Sequence, residues 1–170
     1  MYDGFIQFSQ EHEIYDLLKN DDPKAMSELY ELYPQGIYGL SKSGHPVCIE
    51  IWGGIDHGYI LKNFTETQIM HHFVRYMLKM MHTCFYKTSE QTGRPCDGFY
   101  LIIDFKKIGF GKMMSGDFMK LSKLLAKVTQ DNFPELMIKT YVVNAPLMFS
   151  LFWNVIKYWI DKKTKAKIGL

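Results

Sequence analysis

Apolar residues recur along the chain in two patterns, which are short continuous runs and longer stripes with helical spacing. The runs Phe99–Asp104 and Met137–Val143 are rich in β-branched and aromatic residues, which predicts two buried strands. Residues 36–40 and 47–52 flank the turn residues 41–44 and predict a β-hairpin. Four strands are therefore expected before any other feature is considered.

The helical stripes lie between and before these strands. One begins at the capping box of Thr65 and Gln68, and a second covers residues 115–130. Two shorter helices are predicted over 9–20 and 23–32, the latter with Asp22 as its cap and Pro23 in its first turn. Because single helices separate successive strands, the sequence predicts an α/β fold. Its sheet is mostly parallel and flanked by helices, behind a short N-terminal helical segment.

The segment after the last long strand combines an apolar helix with a basic end. Asn144 is expected to cap a helix over 147–160, with Pro146 in its first turn. Lysines dominate after Asp161. In a helical turn Thr164 and Lys167 would share a face and could meet one phosphate, whereas in a strand they would point apart. The competing interpretation is a solvated helix end whose lysines complement the helix dipole.

Composition limits the classes of function. A chain of 170 residues fits one domain, and its formal net charge of +2 gives no sign of a nucleic-acid partner. The three cysteines lack Cys-x-x-Cys spacing and follow no secretory signal, which favours a cytoplasmic location. The apolar stretch 145–160 is too short to span a bilayer and carries Asn154 and Lys157.

Three motifs near the C-terminus point to a family. They are Phe133-Pro134-Glu135 before a strand, Asn144-Ala145-Pro146 after it, and Lys167-Ile168 about twenty residues later. Residues 33–56 and 101–108 add an opening hairpin and a central strand that ends in Asp104. From about residue 32 onward the chain resembles the CRAL-TRIO lipid-binding domain, the family of the yeast phosphatidylinositol/phosphatidylcholine transfer protein.

The resemblance implies a phospholipid ligand, with phosphatidylinositol favoured, and a headgroup site of Glu135, Thr164 and Lys167. In this interpretation Lys167 neutralises the phosphodiester, Thr164 donates a hydrogen bond and Glu135 accepts from inositol hydroxyls. Asp161 is expected to support the site, either by orienting Thr164 or by capping the next segment. Family members read phosphatidylcholine with Ser and Thr where this chain has Phe99 and Leu101, so phosphatidylcholine exchange is not expected.

The acyl chains require an apolar pocket. Candidate lining residues are Phe149, Phe152, Trp153 and Ile156, and core packing is the competing interpretation. The lysines near the C-terminus are expected to support transient peripheral contact with an anionic membrane surface.

The sequence also departs from the family. Family members continue past Lys-Ile with another strand and a mobile helix that gates the pocket, and a basic helical lobe precedes their domain. We expect this chain to lack both features. Residues 1–33 would form an N-terminal helical segment, and residues 34–170 a lipid-binding core that is incomplete at its C-terminus. A homodimer could cover the exposed apolar surface.

Signatures of enzymes are poor in this sequence. The Gly109-Phe110-Gly111-Lys112 stretch is not a phosphate loop, because Lys106 stands where the first Gly of a Walker motif belongs. No Gly-x-Ser-x-Gly elbow and no zinc-binding His spacing occur, so we expect no catalysis, cofactor or metal. The alternative to lipid carriage is a protein-interaction module with the same fold, which would bind a small GTPase or another partner.

Overall fold

A five-stranded sheet organises the computed structural model, which describes residues 2–11, 14, 16 and 24–169. The strands stand in chain order across the sheet. β1 is antiparallel to β2, and the remaining neighbours are parallel, which confirms the predicted mixed, mostly parallel sheet. The strands are β1 (Gln35–Leu40), β2 (Pro46–Ile51), β3 (Phe99–Asp104), β4 (Met137–Val143) and β5 (Ile168–Gly169).

Helices precede and connect the strands. They are α1 (Tyr2–Glu11), α2 (Lys24–Leu32), α3 (His57–Asn63), α4 (Glu66–Lys79), α5 (Tyr86–Thr92), α6 (Phe110–Met113), α7 (Gly116–Asn132), α8 (Phe149–Ile156) and α9 (Lys162–Ala166). A 3-10 turn covers Trp52–Gly54, and a π-helix over Met80–Phe85 joins α4 to α5. The sequence did not predict the π-helix, because an apolar stripe continues through it without a break.

The two faces of the sheet differ in how well they are covered. Cys48, Leu101 and Thr140 are in register across β2, β3 and β4, and they belong to the face that meets α4 and α7. We call this the inner face. The opposite, outer face leaves apolar side chains more than one-third exposed, namely those of Ile51, Tyr141 and Val143.

Two helix starts agree with the sequence. Thr65 Oγ1 accepts from the Gln68 backbone N–H at 3.2 Å, and Gln68 Oε1 accepts from the Thr65 N–H at 2.9 Å. Ser115 caps α7 by accepting from the Phe118 N–H at 3.2 Å. Both caps satisfy backbone donors that the first helical turn leaves without partners, so α4 and α7 begin where the pattern placed them.

The predicted helix over 147–160 is wrong at both ends. Asn144 does not cap it, because its backbone is left-handed (φ 53°) and its side-chain amide donates to Asp104 Oδ1 at 2.8 Å. Asn tolerates this conformation better than most residues, so the chain turns at the end of β4 instead of starting a helix. Pro146 lies in that turn and accepts from the Phe149 N–H. α8 therefore begins at Phe149 and ends at Ile156.

The N-terminal prediction is only partly testable. α2 agrees with the helix predicted over 23–32, whereas Asp22 and Pro23 lie outside the described residues. α1 begins well before the predicted start at residue 9, and Phe8 within it packs against the core. The remainder of the helix predicted over 9–20 lies largely outside the described residues.

Gly53 marks the closest approach between two loops at the carboxyl edge of the sheet. A Cβ atom at this position would lie 1.7 Å from the Lys106 carbonyl oxygen, far inside van der Waals contact. Lys106 in turn donates its backbone N–H to Asp104 Oδ1 at 2.8 Å. The turn after β2 and the loop after β3 can therefore meet only because residue 53 has no side chain.

Candidate lipid-binding site

A cavity of about 760 Å³ lies between the inner face of the sheet and helices α7, α8 and α9. Side chains that alternate along the strands form its floor, since residues two apart point to the same side of a sheet. This volume falls in the range of pockets that hold small organic ligands. The floor consists of Leu101, Ile103, Thr140, Val142 and Ile168.

All four predicted acyl-pocket residues, Phe149, Phe152, Trp153 and Ile156, line this cavity. Phe152 is 2% exposed, and its ring centroid lies 5.2 Å from that of Phe118 and 5.5 Å from that of Phe149. These edge-to-face contacts belong to an aromatic cluster that also supports the fold. Phe152 therefore both packs in the core and lines the cavity.

The cavity ends at a charged mouth, which we define as Glu135, Lys163, Thr164 and Lys167. Lys167 Nζ lies 2.8 Å from Glu135 Oε2, and Lys163 Nζ lies 3.3 Å from Glu135 Oε1. The hydrogen bonds from Lys167 and then from Lys163 lower the pKa of the Glu135 carboxyl. The structure thus brings together the three residues expected at a headgroup site and adds Lys163.

The backbone of Glu135 helps to explain this geometry. Its φ of 65° lies in the left-handed region, which is uncommon for a residue other than Gly. The residue sits between Pro134 and the start of β4, just before the edge of the sheet. A strained conformation of this kind persists where surrounding contacts support it, and here two lysines hold the side chain.

The basic segment is helical at Thr164, and Lys167 caps the end of this helix. Asp161 caps α9 by accepting from the backbone N–H groups of Lys163 at 2.8 Å and Thr164 at 3.0 Å. The Thr164 hydroxyl also donates to Asp161, and this bond is the largest cause of the lowered pKa of the Asp161 carboxyl. The Lys167 N–H donates to the Thr164 carbonyl at 3.0 Å, so the helical alternative applies and the strand alternative is wrong.

Gln130 of α7 anchors the same segment from the other side. Its amide nitrogen donates to the Trp159 carbonyl at 3.1 Å, and its amide oxygen accepts from the Asp161 N–H at 2.6 Å. No local sequence pattern indicates this role of Gln130, because its partners lie about thirty positions away in the chain. The contact fixes the start of α9 against a long, well-packed helix.

We define the deep end of the cavity as Tyr33, Glu50 and Trp52. It contains the carboxyl of Glu50, which the sequence did not indicate as a site residue. Glu50 Oε2 accepts from the Tyr33 hydroxyl at 3.0 Å and from Trp52 Nε1 at 2.8 Å. The side chain is 6% exposed, and burial raises the pKa of its carboxyl. One signal was available, since Glu50 occupies an inward position in an otherwise apolar strand.

Along the sheet, the charged mouth and the deep end are well separated. Glu50 is in register with Ile103, which is in register with Val142, whereas Glu135 precedes Met137 at the start of β4. Val142 and Met137 are five residues apart along β4, which at roughly 3.3 Å per residue separates them by about 16 Å. Glu135 lies before Met137, beyond this distance. The cavity therefore runs along the strands, with the hydrogen-bonded carboxyl of Glu50 at its deep end.

Other candidate chemistry is not assembled in the structure. His57 and His72 are buried, and burial lowers the pKa of each to about 4, so both are neutral near pH 7. Within the described ranges, no cluster of three or more His, Cys, Asp or Glu side chains could hold a metal ion. Over the same part of the chain, no helix is both long and apolar enough to cross a membrane.

Comparison with known proteins identifies relatives of this chain. Residues 30–170 match the CRAL/TRIO domain. The phosphatidylinositol/phosphatidylcholine transfer protein SFH7 of Arabidopsis thaliana is 28% identical over 168 residues, which cover 99% of this chain and 30% of that protein. The Sec14 cytosolic factor of Schizosaccharomyces pombe is 30% identical over 167 residues, which cover 96% of this chain and 57% of that protein. The chain thus spans between about a third and somewhat more than half of these relatives.

A solved structure shares the fold. The crystal structure of Sfh5 matches with a TM-score of 0.72 at 18% sequence identity, over 97% of this chain and 55% of that one. At this level of identity the likeness concerns the fold alone. The match to the family over residues 30–170 nevertheless confirms the resemblance that the three C-terminal motifs suggested, and the chain belongs to the CRAL/TRIO domain family.

Proposed function

We propose that this domain binds one phospholipid, most favourably phosphatidylinositol, and transfers it between membranes without catalysing a reaction. One observation carries the proposal. A single cavity joins the apolar wall of α8 to the cluster of Glu135, Thr164 and Lys167. The name of the Arabidopsis thaliana relative SFH7, a phosphatidylinositol/phosphatidylcholine transfer protein, supports the same class of ligand.

The two ends of the ligand would be held by different forces. Removing about 30 methylenes from a bilayer costs about 24 kcal/mol, at roughly 0.8 kcal/mol for each group. Charge-assisted hydrogen bonds contribute only about 1.5–3 kcal/mol each, so they select a headgroup and cannot extract a lipid alone. The aromatic wall would therefore provide capacity, and the charged mouth would provide selectivity.

The roles at the mouth follow from donor and acceptor chemistry. Lys167 would bind the phosphodiester, Thr164 would contribute its hydroxyl, and Glu135 would accept from hydroxyls of the inositol ring. Asp161 would support them through the capped first turn of α9. Phosphatidylcholine is not included, because Phe99 is buried in the core and Leu101 offers no hydrogen bond. In this division residues 34–170 would form the lipid-binding core, and residues 1–33 would precede it.

Transient contact with a membrane is part of the proposal. Apolar side chains on and beside α8 face solvent, and the lysines of the C-terminal segment follow them in the chain. Each lysine adds about 1 kcal/mol at an anionic surface. The name of the Schizosaccharomyces pombe relative, a cytosolic factor, supports a cytosolic protein that makes transient contact with membranes. The exposed apolar residues are Leu147, Met148, Leu151, Val155 and Tyr158.

A protein-interaction module is the second candidate. The observation that favours it is the outer face of the sheet, where Ile51, Tyr141 and Val143 are exposed together. Exposed apolar patches often mark contacts between proteins. Under this alternative a partner protein or a second copy of the chain would cover the outer face, and the domain would not carry lipid.

Native mass spectrometry tests the proposal directly. After incubation with vesicles of phosphatidylinositol, phosphatidylcholine and phosphatidylserine, we expect one phospholipid per chain, enriched in inositol headgroups. Lys167→Ala should reduce the loading of phosphatidylinositol, whereas Lys162→Ala removes the same charge from a residue that does not line the cavity.

Two results would contradict the lipid-transfer proposal. Equal inositol-lipid loading by the wild type and by Lys167→Ala would remove Lys167 from the site. A dimeric chain that takes up no lipid from any vesicle would favour the interaction module.

A further inference from the structure

Glu135 bridges two lysines, and only one of them was expected at the headgroup site. Each carboxylate oxygen has its own ammonium partner, since Oε2 lies 2.8 Å from Lys167 Nζ and Oε1 lies 3.3 Å from Lys163 Nζ. Lys163 also lines the cavity, whereas Lys162 and Lys165 do not. This arrangement raises a chemical problem for any phosphate that must bind Lys167.

The problem is competition between two anions. A carboxylate and a phosphate that share the ammonium group of Lys167 repel each other, so the Glu135 carboxylate weakens the binding of a headgroup phosphate there. We propose that Lys163 is a positioning residue, which retains Glu135 when the phosphate of a headgroup takes over Lys167. The proposal rests on the function proposed above and adds a residue to it.

The exposed fractions of the three side chains support a movement of Glu135 from Lys167 toward Lys163. The side chain of Lys167 is 26% exposed, that of Glu135 is 56% exposed and that of Lys163 is 79% exposed. Lys163 is therefore the partner on the solvent side, and Glu135 would move outward when it stays with Lys163. Ion pairs exposed to water are weak, so exchanging one for another costs little.

The charges at the mouth also limit the headgroup. The two ammonium groups and one carboxylate of the charged mouth carry one net positive charge, and the Asp161 carboxylate that caps α9 is a further negative charge beside them. One phosphodiester balances the net positive charge of the mouth. A further phosphate on the headgroup would bring about two more negative charges toward Glu135 and be repelled. The site thus fits a lipid with a single phosphodiester and a headgroup of uncharged hydroxyls.

A double-mutant cycle tests the positioning role in the full chain. Loading from vesicles of phosphatidylinositol and phosphatidylcholine should fall about fivefold or more in Lys163→Ala, since an unretained Glu135 then competes for Lys167. Lys162→Ala and Lys165→Ala are matched controls that lose the same charge from the same helix and should each change loading less than about twofold. In a Glu135→Gln background, Lys163→Ala should have no further effect.

Two outcomes of this cycle overturn the proposal. A loss of equal size in Lys163→Ala and Lys165→Ala would indicate general attraction to the vesicle surface. A loss from Lys163→Ala that persists in the Glu135→Gln background would show that Lys163 does not act through Glu135.

A second measurement tests the ion pair without any lipid. In the ligand-free protein, the pKa of Glu135 followed by NMR should rise in Lys163→Ala and stay unchanged in Lys162→Ala, because Lys163, unlike Lys162, donates to the carboxylate. An unchanged pKa in Lys163→Ala overturns the proposal even when loading falls. A wild-type protein that takes up no phospholipid, with the pKa shift present, would instead overturn the proposed function while leaving the Lys163–Glu135 contact established.

Two further ligands test the class of headgroup. Phosphatidylinositol 4-phosphate should load less than phosphatidylinositol, and Glu135→Gln should narrow the difference. Preferential loading of the phosphorylated lipid would contradict the charge argument. Glycerophosphoinositol, which has the same headgroup without acyl chains, should not displace bound lipid, and displacement would show that the ligand is the free headgroup.

Discussion

Glu135 and Glu50 line the same cavity at opposite ends and have opposite surroundings. Glu135 lies at the exposed mouth between two ammonium groups, which lower the pKa of its carboxyl. Glu50 lies at the buried deep end and is bonded by the neutral donors Tyr33 and Trp52. Those hydrogen bonds lower the pKa of Glu50 less than burial raises it. The same type of side chain thus has the pKa of its carboxyl lowered at one end of the cavity and raised at the other.

Under the proposed function, the difference would let one cavity bind a charged headgroup and still accept hydrocarbon. An ion in an apolar pocket is costly, whereas a hydrogen-bonded neutral carboxyl is tolerated. Ionic partners are therefore concentrated at the mouth, where water and lysines are available. At the deep end the hydrogen-bond partners of Glu50 are neutral donors, and the floor and the aromatic wall beside them are mostly apolar.

The largest effect should come from the aromatic wall near the deep end. Phe152→Ala removes a ring that packs against Phe118 and Phe149, so we expect a loss of about 3–5 kcal/mol in the free energy of unfolding. Urea denaturation followed by circular dichroism measures this loss. Leu147→Ala, at a fully exposed position, is the control, and equal losses in both variants would argue against a packed wall.

An intermediate effect is expected from the buried carboxyl itself. Glu50→Leu leaves the Tyr33 hydroxyl and the Trp52 indole N–H without their acceptor, which should cost about 1–3 kcal/mol of stability. Glu50→Gln retains an acceptor oxygen and should cost less. Urea denaturation at pH 7 distinguishes the two variants. A Leu variant that is as stable as the Gln variant would mean that the two donors find other partners.

The smallest effect, and the sharpest test of the comparison, is the opposite pH dependence of the two glutamates. Glu50 has a raised pKa in the folded state, so its contribution to stability is present below the unfolded value of about 4.3 and is lost as pH rises through the folded value. Glu135 has a lowered pKa, so its contribution is present above about 4.3 and is lost as pH falls through the folded value.

Stability differences between the wild type and each Gln variant isolate these contributions. The wild-type advantage over Glu50→Gln should shrink as pH rises from about 4.3, and the advantage over Glu135→Gln should shrink as pH falls below it. Urea titrations at several pH values measure both differences, and the other titrating groups cancel because all three proteins contain them. Slopes of the same sign would contradict the contrast between the two ends.

Local features of the fold could be predicted from the sequence. The bounds of β3 and β4 follow from continuous apolar runs, and the starts of α4 and α7 follow from the caps at Thr65 and Ser115. These signals are local, because the residues that cause the structure are neighbours in the chain. The left-handed turn at Asn144 was missed since its side chain bonds to Asp104, forty residues away.

Sequence motifs predicted the residues of the candidate site but not the contacts between them. Family motifs identified Glu135, Thr164 and Lys167, and the structure places all three along one cavity. Motifs could not indicate that Glu135 already binds two lysines, nor that Glu50 meets Tyr33, because these contacts join residues 17 to 32 positions apart. The ionisation of Glu50 depends on burial, which no stretch of sequence displays.

The close contact at Gly53 bears on how the cavity can open. Backbone meets backbone there, and the neighbouring Asp104 accepts from both Lys106 and Asn144, so three loops are fastened together at the carboxyl edge of the sheet. Between α9 and the turn before β4, exchangeable ion pairs join Glu135 to Lys163 and Lys167. We therefore expect the carboxyl edge to act as a fixed hinge line and the contact of α9 with Glu135 to part first, so that a lipid would enter the cavity with its headgroup last.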